Sequence, residues 1–275
     1  MQDKRTQSKT FCDTHVHIYD CFELGTLLDG AAENFRQAAE NAGAQQYASV
    51  IMLTETSRED RFTSLAEAAA EGSRLSTAWS FSTTSEPESL VADRQGQQPL
   101  LIIAGRQIIT KEKLEILALA TTFRCSDGQP AGEVIEAINA ADGIAVAPWG
   151  VGKWWGKRGR LMSSLLQRFP AHQLALGDNS GRPWFMRSSV HFREARKQSR
   201  HILPGSDPLP FSGEAGRPGS VGCVLDHAID PERPAAELRN ILTNSASPVI
   251  PYMHYERLLP FFRNQIRMQL RKQLS

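Results

Sequence analysis

The chain alternates short apolar, β-rich runs with longer amphipathic segments, and this alternation constrains its fold more than any other feature. The predicted strands are 10–17, 48–53, 76–81, 100–104, 144–148, 173–176 and 201–203, and 115–121 is either an eighth strand or the end of a helix. The predicted helices between them are 31–42, 58–71, 131–141, 161–169 and 234–242. Strands separated by helices are typical of parallel sheets with right-handed crossovers.

Seven or eight such units favour a closed sheet over an open one. We therefore predict an α/β fold: a single distorted (β/α) barrel of seven or eight mostly parallel strands, similar to a TIM barrel. The 275 residues, 41% of them hydrophobic, are enough for one large domain with a full core. We predict a polar tail over residues 1–10, one domain over 11–275 and a C-terminal amphipathic helix over 255–274.

Composition excludes several classes of protein. The net charge of +1 gives no global argument for binding nucleic acid or a membrane surface. No run of about eighteen apolar residues predicts a membrane span, and the polar N-terminus does not resemble a secretory signal. The four cysteines show no paired spacing, which indicates reduced thiols. We expect a cytoplasmic protein that acts on a small anionic substrate, with no evidence for nucleic acid; its oligomeric state stays open.

The first predicted strand ends in Asp13-Thr14-His15-Val16-His17. Residues i and i+2 of a strand point to the same side, so both imidazoles can bind one ion. Neutral imidazole suits Zn, Mn or Fe, and Asp13 can orient a ring or bridge a second metal. The alternative is a pair of hydrogen-bonded histidines in a polar cleft.

Carboxylates follow three other predicted strands, where α/β proteins place their active residues. Asp207 follows the last strand, Asp178 the strand before it and Glu55 the second strand. The predicted metal ligands are His15, His17, Glu55, Asp178 and Asp207. Asp207 and Asp178 are the predicted catalytic residues, with Asp207 accepting the proton of the attacking water. The alternatives are an Asx turn before Pro208 for Asp207 and a solvated loop for Glu55.

A basic, aromatic segment covers residues 150–160, with four cations and two tryptophans among eleven residues. Its glycines and the start of a helix near residue 161 suit the binding of an anion, and its indoles suit stacking on a sugar or a base. The predicted substrate-binding residues are Lys153, Trp154, Lys157, Arg158, Arg182 and Gln107. Arg217 could reach the same opening from a neighbouring loop. The alternative is a solvated loop whose tryptophans cover the rim of the domain.

The order and spacing of these motifs resemble the PHP family of metal-dependent phosphoesterases, and more distantly the amidohydrolases. Residues 13–17 match the opening His-x-His motif, and Gly205-Ser206-Asp207 matches the closing Gly-Ser-Asp. Residues 53–56 stand where the family has Thr-Asp-His, residues 105–110 resemble its Gly-x-Glu-hydrophobic-Thr segment, and 143–148 resemble the strand that ends in Ala-His-Pro. The resemblance covers residues 11–225.

The chain departs from the family at several ligand positions. Glu55 and Thr56 replace the aspartate and histidine of the second motif, Gln107 replaces the bridging glutamate, and Pro148 or Trp149 stands in place of a histidine. The resemblance therefore implies one or two divalent ions rather than three. It implies a metal-dependent hydrolase of an anionic substrate, above all a phosphoester. The alternatives are a catalytically degenerate relative that binds an anionic ligand or partner, and an amidohydrolase- or decarboxylase-like enzyme with one metal ion.

Overall fold

A computed structural model of the protein describes residues 8–73, 75, 78–179 and 189–252. The strands of these residues are β1 (Lys9–Val16), β2 (Tyr47–Leu53), β3 (Ser80–Thr83), β4 (Ser89–Asp93), β5 (Leu100–Ile103), β6 (Gly105–Ile109), β7 (Glu115–Leu119), β8 (Ile144–Pro148), β9 (Ala175–Asn179), β10 (Ile202–Gly205), β11 (Gly222–Leu225) and β12 (Val249–Tyr252). The helices are α1 (Leu24–Asn41), α2 (Arg61–Glu71), α3 (Ala131–Ala140), α4 (Gly156–Arg168), α5 (Val190–Lys197), α6 (Pro234–Thr243) and a 3₁₀ helix (Ser212–Glu214).

The strands form two mixed sheets. The first has the order β12-β11-β1-β2-β5-β4-β3, in which β1, β2 and β5 are parallel and the other neighbours are antiparallel. The second has the order β10-β9-β8-β7-β6, in which β8, β9 and β10 are parallel. The chain is thus an α/β protein with a parallel centre in each sheet and antiparallel strands at its margins.

The prediction of a single TIM-like barrel is wrong, because the twelve strands lie in separate seven- and five-stranded sheets that do not close. Antiparallel hairpins, β3–β4–β5 and β6–β7, interrupt the expected βαβ pattern. Their strands have four or five residues each, and a short apolar run does not reveal the direction of its partner. Residues 115–121, which could be a strand or the end of a helix, contain the strand β7.

The hydrophobic core has three parts. Helices α1 and α2 cover one face of the seven-stranded sheet, with Phe11 and Phe35 among the fully buried side chains. Helices α3, α4 and α5 cover the five-stranded sheet. Between the sheets lies a third cluster, to which Met52 of β2, Val146 of β8 and Leu238 of α6 belong. The two sheets therefore pack face to face and are joined by apolar side chains.

The sheets also meet where β10 passes the end of β1. The hydroxyl of Thr14 donates to the carbonyl oxygen of Pro204 (2.9 Å), and the N–H of Asp207 donates to that of His15 (2.8 Å). Gly205 permits this approach, because a Cβ there would lie 2.5 Å from the backbone nitrogen of His15. A side chain at position 205 would force the two strands apart, and the candidate site described below lies at this junction.

Some predictions concern residues outside the described ranges. These are Arg182, the C-terminal helix over 255–274 and most of the N-terminal tail. The proposed domain limits stay predictions. Among the helices of the described residues, none has the length and apolar character needed to cross a membrane.

Candidate metal centre

Strand β1 brings His15 and His17 together at its C-terminal end. Both side chains are buried, and their Nε2 atoms lie 3.2 Å apart. The pairing of β1 with β2 changes register between Asp13 and Val16, so the strand bends just where the two imidazoles converge. The expected i, i+2 geometry of the His-x-His motif is confirmed.

Asp207 completes a group of three possible ligand atoms. It follows β10, and its backbone has a φ of 44°, in the left-handed region. Its Oδ1 atom lies 3.5 Å from His15 Nε2 and 3.8 Å from His17 Nε2. One ligand atom from each of the three residues lies within 4.8 Å of the others. Two strands from different sheets therefore supply this group.

Asn179, the last residue of β9, determines which nitrogen of His15 carries the proton. Its Nδ2 donates to Asp207 Oδ2 (2.7 Å), because a carboxylate can only accept. This contact fixes the amide orientation and turns Oδ1 toward His15 Nδ1 (3.2 Å). An amide oxygen can only accept a hydrogen bond, so Nδ1 of His15 carries the proton and donates that bond. Its Nε2 therefore presents a lone pair to the centre.

The imidazole ring of His17 has neighbours at both nitrogens and on one face. Its Nδ1 is buried and has no hydrogen-bond partner within the described residues, although Glu59 Oε2 faces it at 3.7 Å. Its Nε2 lies 3.5 Å from the hydroxyl of Thr54, whose oxygen is also 3.2 Å from a backbone carbonyl. The ring stacks on Tyr19, with the centroids 5.1 Å apart. These contacts hold the imidazole in place.

Nearby charges act on the centre. Burial lowers the pKa of His15 below its ordinary value, which favours the neutral imidazole that a metal requires. Burial raises the pKa of Asp207, but His15, His17, Lys153 and Arg217 outweigh this effect and hold that pKa below the usual range. At neutral pH His15 is thus a neutral imidazole and Asp207 a carboxylate.

The donor set and its spacing fit a divalent ion. Zinc binds imidazole nitrogen at about 2.0–2.1 Å, and tetrahedral angles then place ligand atoms about 3.3 Å apart. The two Nε2 atoms are 3.2 Å apart, and Asp207 Oδ1 is within a few tenths of an ångström of this spacing. Two imidazole nitrogens and a carboxylate oxygen at these distances are therefore a donor set that suits zinc.

Asp13 is buried and accepts three backbone hydrogen bonds. Its Oδ1 accepts from the backbone N–H of His15 (3.2 Å) and Ser206 (2.9 Å), and Oδ2 accepts from that of Gly219 (2.8 Å). Burial raises its pKa to about 6, against the effect of these hydrogen bonds. The carboxylate therefore connects the loops around the centre, and its role in orienting a ring or bridging a second metal stays a prediction.

Two predicted ligands lie away from the group. Glu55 is buried, but its Oε1 accepts from the N–H of Phe62 (2.6 Å) at the start of α2, and its Oε2 lies 3.9 Å from Arg106. Asp178 precedes Asn179 in β9, and successive side chains of a strand point to opposite faces. Glu55 and Asp178 are thus not part of the group formed by His15, His17 and Asp207, and their roles as ligands, and that of Asp178 as a catalytic residue, stay predictions.

The basic segment is more structured than expected, because α4 begins at Gly156. Trp154 is 5% exposed and packs on the rings of His191 and Phe192, and its stacking on a substrate stays a prediction. Arg158 donates to the carbonyl oxygens of Gly152 (2.9 Å) and Lys113 (3.3 Å). The segment is therefore fixed by contacts within itself, with the loop before β7 and with α5.

Of the remaining predicted substrate-binding residues, Lys153 is the one whose charge acts on the centre. It forms an ion pair with Glu115 of β7. Lys157 is exposed in the first turn of α4, and Gln107 is half-buried on β6. Their roles stay predictions, and Arg182 lies outside the described residues.

Sequence reasoning missed Asn179 and Glu59. A signal for Asn179 exists, because Asp178 and Asn179 are adjacent at a strand end and only one can face the centre. Charge favours Asp178 as the residue that faces the centre, whereas the register of β9 places the amide of Asn179 there. No pattern in the sequence indicates Glu59, because this residue lies in the loop before α2. The conformation of that loop brings its side chain to His17.

Comparison with known proteins gives a likeness of fold. No protein-family model matches the sequence, and no curated protein sequence does. The structure of PsfC from Pseudomonas syringae PB-5123 is similar with a TM-score of 0.59 and 14% identity, over 96% of this chain and 99% of that one. At this identity the likeness shows the fold alone, and the resemblance to the PHP family stays a prediction.

Two structures of Endonuclease Q are more distant. The lesion-specific endonuclease from Pyrococcus furiosus has a TM-score of 0.45 and 11% identity, over 88% of this chain and 57% of that one. Endonuclease Q in complex with a 27-mer duplex carrying an abasic lesion has a TM-score of 0.43 and 14% identity, over 88% and 58%. The chain thus spans somewhat more than half of Endonuclease Q.

The duplex complex corrects one expectation. Because a DNA-bound nuclease is among the structures that the chain resembles, the statement that nothing points to nucleic acid is withdrawn. The duplex is a ligand of Endonuclease Q, and with TM-scores below 0.5 neither of the two structures carries an argument about the chemistry of this chain.

Proposed function

We propose that the protein is a metal-dependent hydrolase that binds one divalent ion, Zn, Mn or Fe, through His15, His17 and Asp207. The observation that carries this proposal is the convergence of two imidazole Nε2 atoms and one carboxylate oxygen, with Asn179 leaving the His15 nitrogen unprotonated. Three protein ligands leave coordination positions free, as in catalytic rather than structural metal sites.

A divalent ion held by these residues would lower the pKa of a bound water toward neutrality. The chain supplies the rest of the machinery. Asp207 has a partly exposed carboxylate beside the centre, and we propose that it accepts the proton of the attacking water. Its second oxygen is held by Asn179 (2.7 Å), so the carboxylate keeps one orientation during the reaction.

Two cations favour an anionic substrate. Lys153 and Arg217 lie close enough to Asp207 to lower its pKa, and they come from different loops. Each has a carboxylate partner, Glu115 for Lys153 and Glu214 for Arg217 (3.0 Å). We propose that an anionic group of the substrate competes with Glu115 for Lys153. The resemblance to phosphoesterases makes a phosphoester the preferred substrate.

Metal analysis and an activity screen test this proposal. The purified protein is dialysed against chelator, loaded with Zn²⁺, Mn²⁺ or Fe²⁺, and assayed on aryl phosphates, a phosphodiester in a short DNA duplex, amides and lactones. We expect phosphoester hydrolysis that requires the ion and falls about 10²–10⁴-fold in Asp207→Asn, which removes the proton acceptor. No binding at micromolar ion concentrations would refute the proposal, and hydrolysis of amides or lactones alone would favour the amidohydrolase-like alternative.

A second candidate is a degenerate relative that binds an anion without turnover. The observation that favours it is the use of Glu55, at a predicted ligand position, to hold the start of α2 instead of an ion. For this candidate we expect that Lys153→Met abolishes binding of a phosphate ester while Asp207→Asn leaves it intact. Turnover that depends on Asp207 would exclude it.

A further inference from the structure

The Nδ1 atom of His17 is a buried donor or acceptor that lacks a hydrogen bond within the described residues. Leaving such a group without a partner is unfavourable, so a nearby acceptor has a strong effect on which nitrogen carries the proton. The carboxylate of Glu59 faces this atom, with Oε2 at 3.7 Å. A shift of about 0.5 Å would bring the pair to the 3.2 Å limit of an ordinary hydrogen bond.

Glu59 is held at this position by its own loop. Its Oε2 accepts from the N–H of Thr56 (2.8 Å), and its backbone N–H donates to the carbonyl of Thr56 (3.1 Å). Arg106 on β6 then connects the loop to the second sheet. Its guanidinium donates to the carbonyl oxygens of Thr56 (3.1 Å) and Glu59 (3.4 Å). Arg106 therefore holds the loop that carries Glu59 against the second sheet.

The carboxylate of Glu59 lies in a largely buried position beside His17. Its side chain is 13% exposed, so water screens it only in part. A buried anion beside an imidazole nitrogen favours a proton on that nitrogen.

We propose that Glu59 is a positioning residue that accepts a hydrogen bond from the Nδ1–H group of His17. It thereby keeps the Nε2 atom of His17 unprotonated and directed at the metal centre. With Asn179 acting on His15, each imidazole then has its own outer acceptor, Glu59 from the loop before α2 and Asn179 from β9. The inference rests on the proposed metal site. Outer acceptors of this kind change metal affinity about 10–100-fold.

The first test reads the tautomer of His17 without metal. Two-bond ¹H–¹⁵N correlations of the metal-free protein distinguish a proton on Nδ1 from one on Nε2. We expect the Nδ1–H form in the wild type and in Glu59→Gln, whose amide oxygen still accepts, and a large Nε2–H population in Glu59→Leu. The same tautomer in Glu59→Leu as in the wild type would overturn the inference.

The second test measures Zn²⁺ affinity by competition with a chromogenic chelator. We expect Glu59→Leu to bind about 10–100-fold more weakly, Glu59→Gln to recover part of the loss, and Glu67→Gln to match the wild type. Glu67 is an exposed carboxylate on the nearby helix α2 and serves as the matched control.

The outcomes separate the two proposals. A wild type that binds no Zn²⁺ refutes the metal site itself, whereas a wild type that binds and a Glu59→Leu variant that binds equally well refute only the role of Glu59. If Glu59→Leu fails to fold because the contact with Thr56 is lost, the decision passes to Glu59→Gln, which keeps a hydrogen-bonding group at that place. Wild-type affinity in Glu59→Gln together with an unprotonated His17 Nδ1 would then contradict the inference.

Discussion

Replacing Gly205 by alanine is the perturbation that links the fold to the site most closely. Gly205 is the last residue of β10 and lies against His15 of β1. Its added Cβ would stand 2.5 Å from the backbone nitrogen of His15, whereas real Cβ contacts of this kind are rarely closer than 3.4 Å. The strands must therefore separate by about 0.9 Å or the loop that carries Asp207 must move.

The magnitude follows from this displacement. Inserting a methyl group into a closely packed position costs about 1–3 kcal/mol of unfolding free energy. For a protein of this size 1 kcal/mol corresponds to about 2–4 °C, so we expect the Tm to fall by about 2–12 °C. Metal ligands tolerate displacements of about 0.2 Å, which is well below 0.9 Å. We therefore expect a loss of Zn²⁺ affinity of at least about 10-fold.

The assay combines thermal unfolding of the metal-free protein with Zn²⁺ competition. Gly213→Ala is the matched control, because Gly213 lies in the 3₁₀ helix and a Cβ there meets no atom within 4 Å. We expect this control to change neither the Tm nor the affinity. If Gly205→Ala behaves like Gly213→Ala in both measurements, the close approach of β1 and β10 is not what aligns Asp207 with His15.

Four further predictions follow from single contacts. Asn179→Ala removes the acceptor of His15 and the donor to Asp207, so Zn²⁺ affinity falls about 10–100-fold while far-UV circular dichroism is unchanged. Trp154→Ala leaves a cavity under α5, so chemical denaturation shows a loss of about 3–5 kcal/mol. Lys153→Met raises the KM for an anionic substrate and reduces its dependence on salt, and an unchanged salt dependence would exclude Lys153 from the substrate site. Burial raises the pKa of Asp13 to about 6, so the folded state binds more protons than the unfolded state between about pH 4 and 6. The unfolding free energy therefore falls with rising pH in that window, by at most about 3 kcal/mol. We expect Asp13→Asn, measured by denaturation at several pH values, to lack this slope.

The sequence predicts the α/β class and many of the elements, because the apolar periodicity of strands such as β1 and β2 differs clearly from that of helices such as α2. It does not predict the direction of the marginal strands. Strands β4 and β6 have five residues each and belong to antiparallel pairs that no helix separates. Their partners are determined by packing between the two sheets, which a local pattern does not contain.

The candidate site could be predicted in part. His15 and His17 share one side of a strand, and Asp207 follows the last strand of the second sheet, so residue type and position were sufficient for these three. The sequence does not determine which of Asp178 and Asn179 faces the centre, since a shift of one residue exchanges the two faces of a strand. Nor does it show that the carboxylate of Glu55 accepts from a backbone N–H at the start of α2.

Titration of the metal-free protein with Co²⁺ tests the central claim most directly. The account predicts one Co²⁺ per chain, with visible absorption of a site bound by two imidazoles, and loss of this absorption in His15→Ala and His17→Ala but not in the control Glu67→Gln. Absence of Co²⁺ binding in the wild type, or the same spectrum in the histidine variants, would contradict the assignment of His15, His17 and Asp207 as a metal centre.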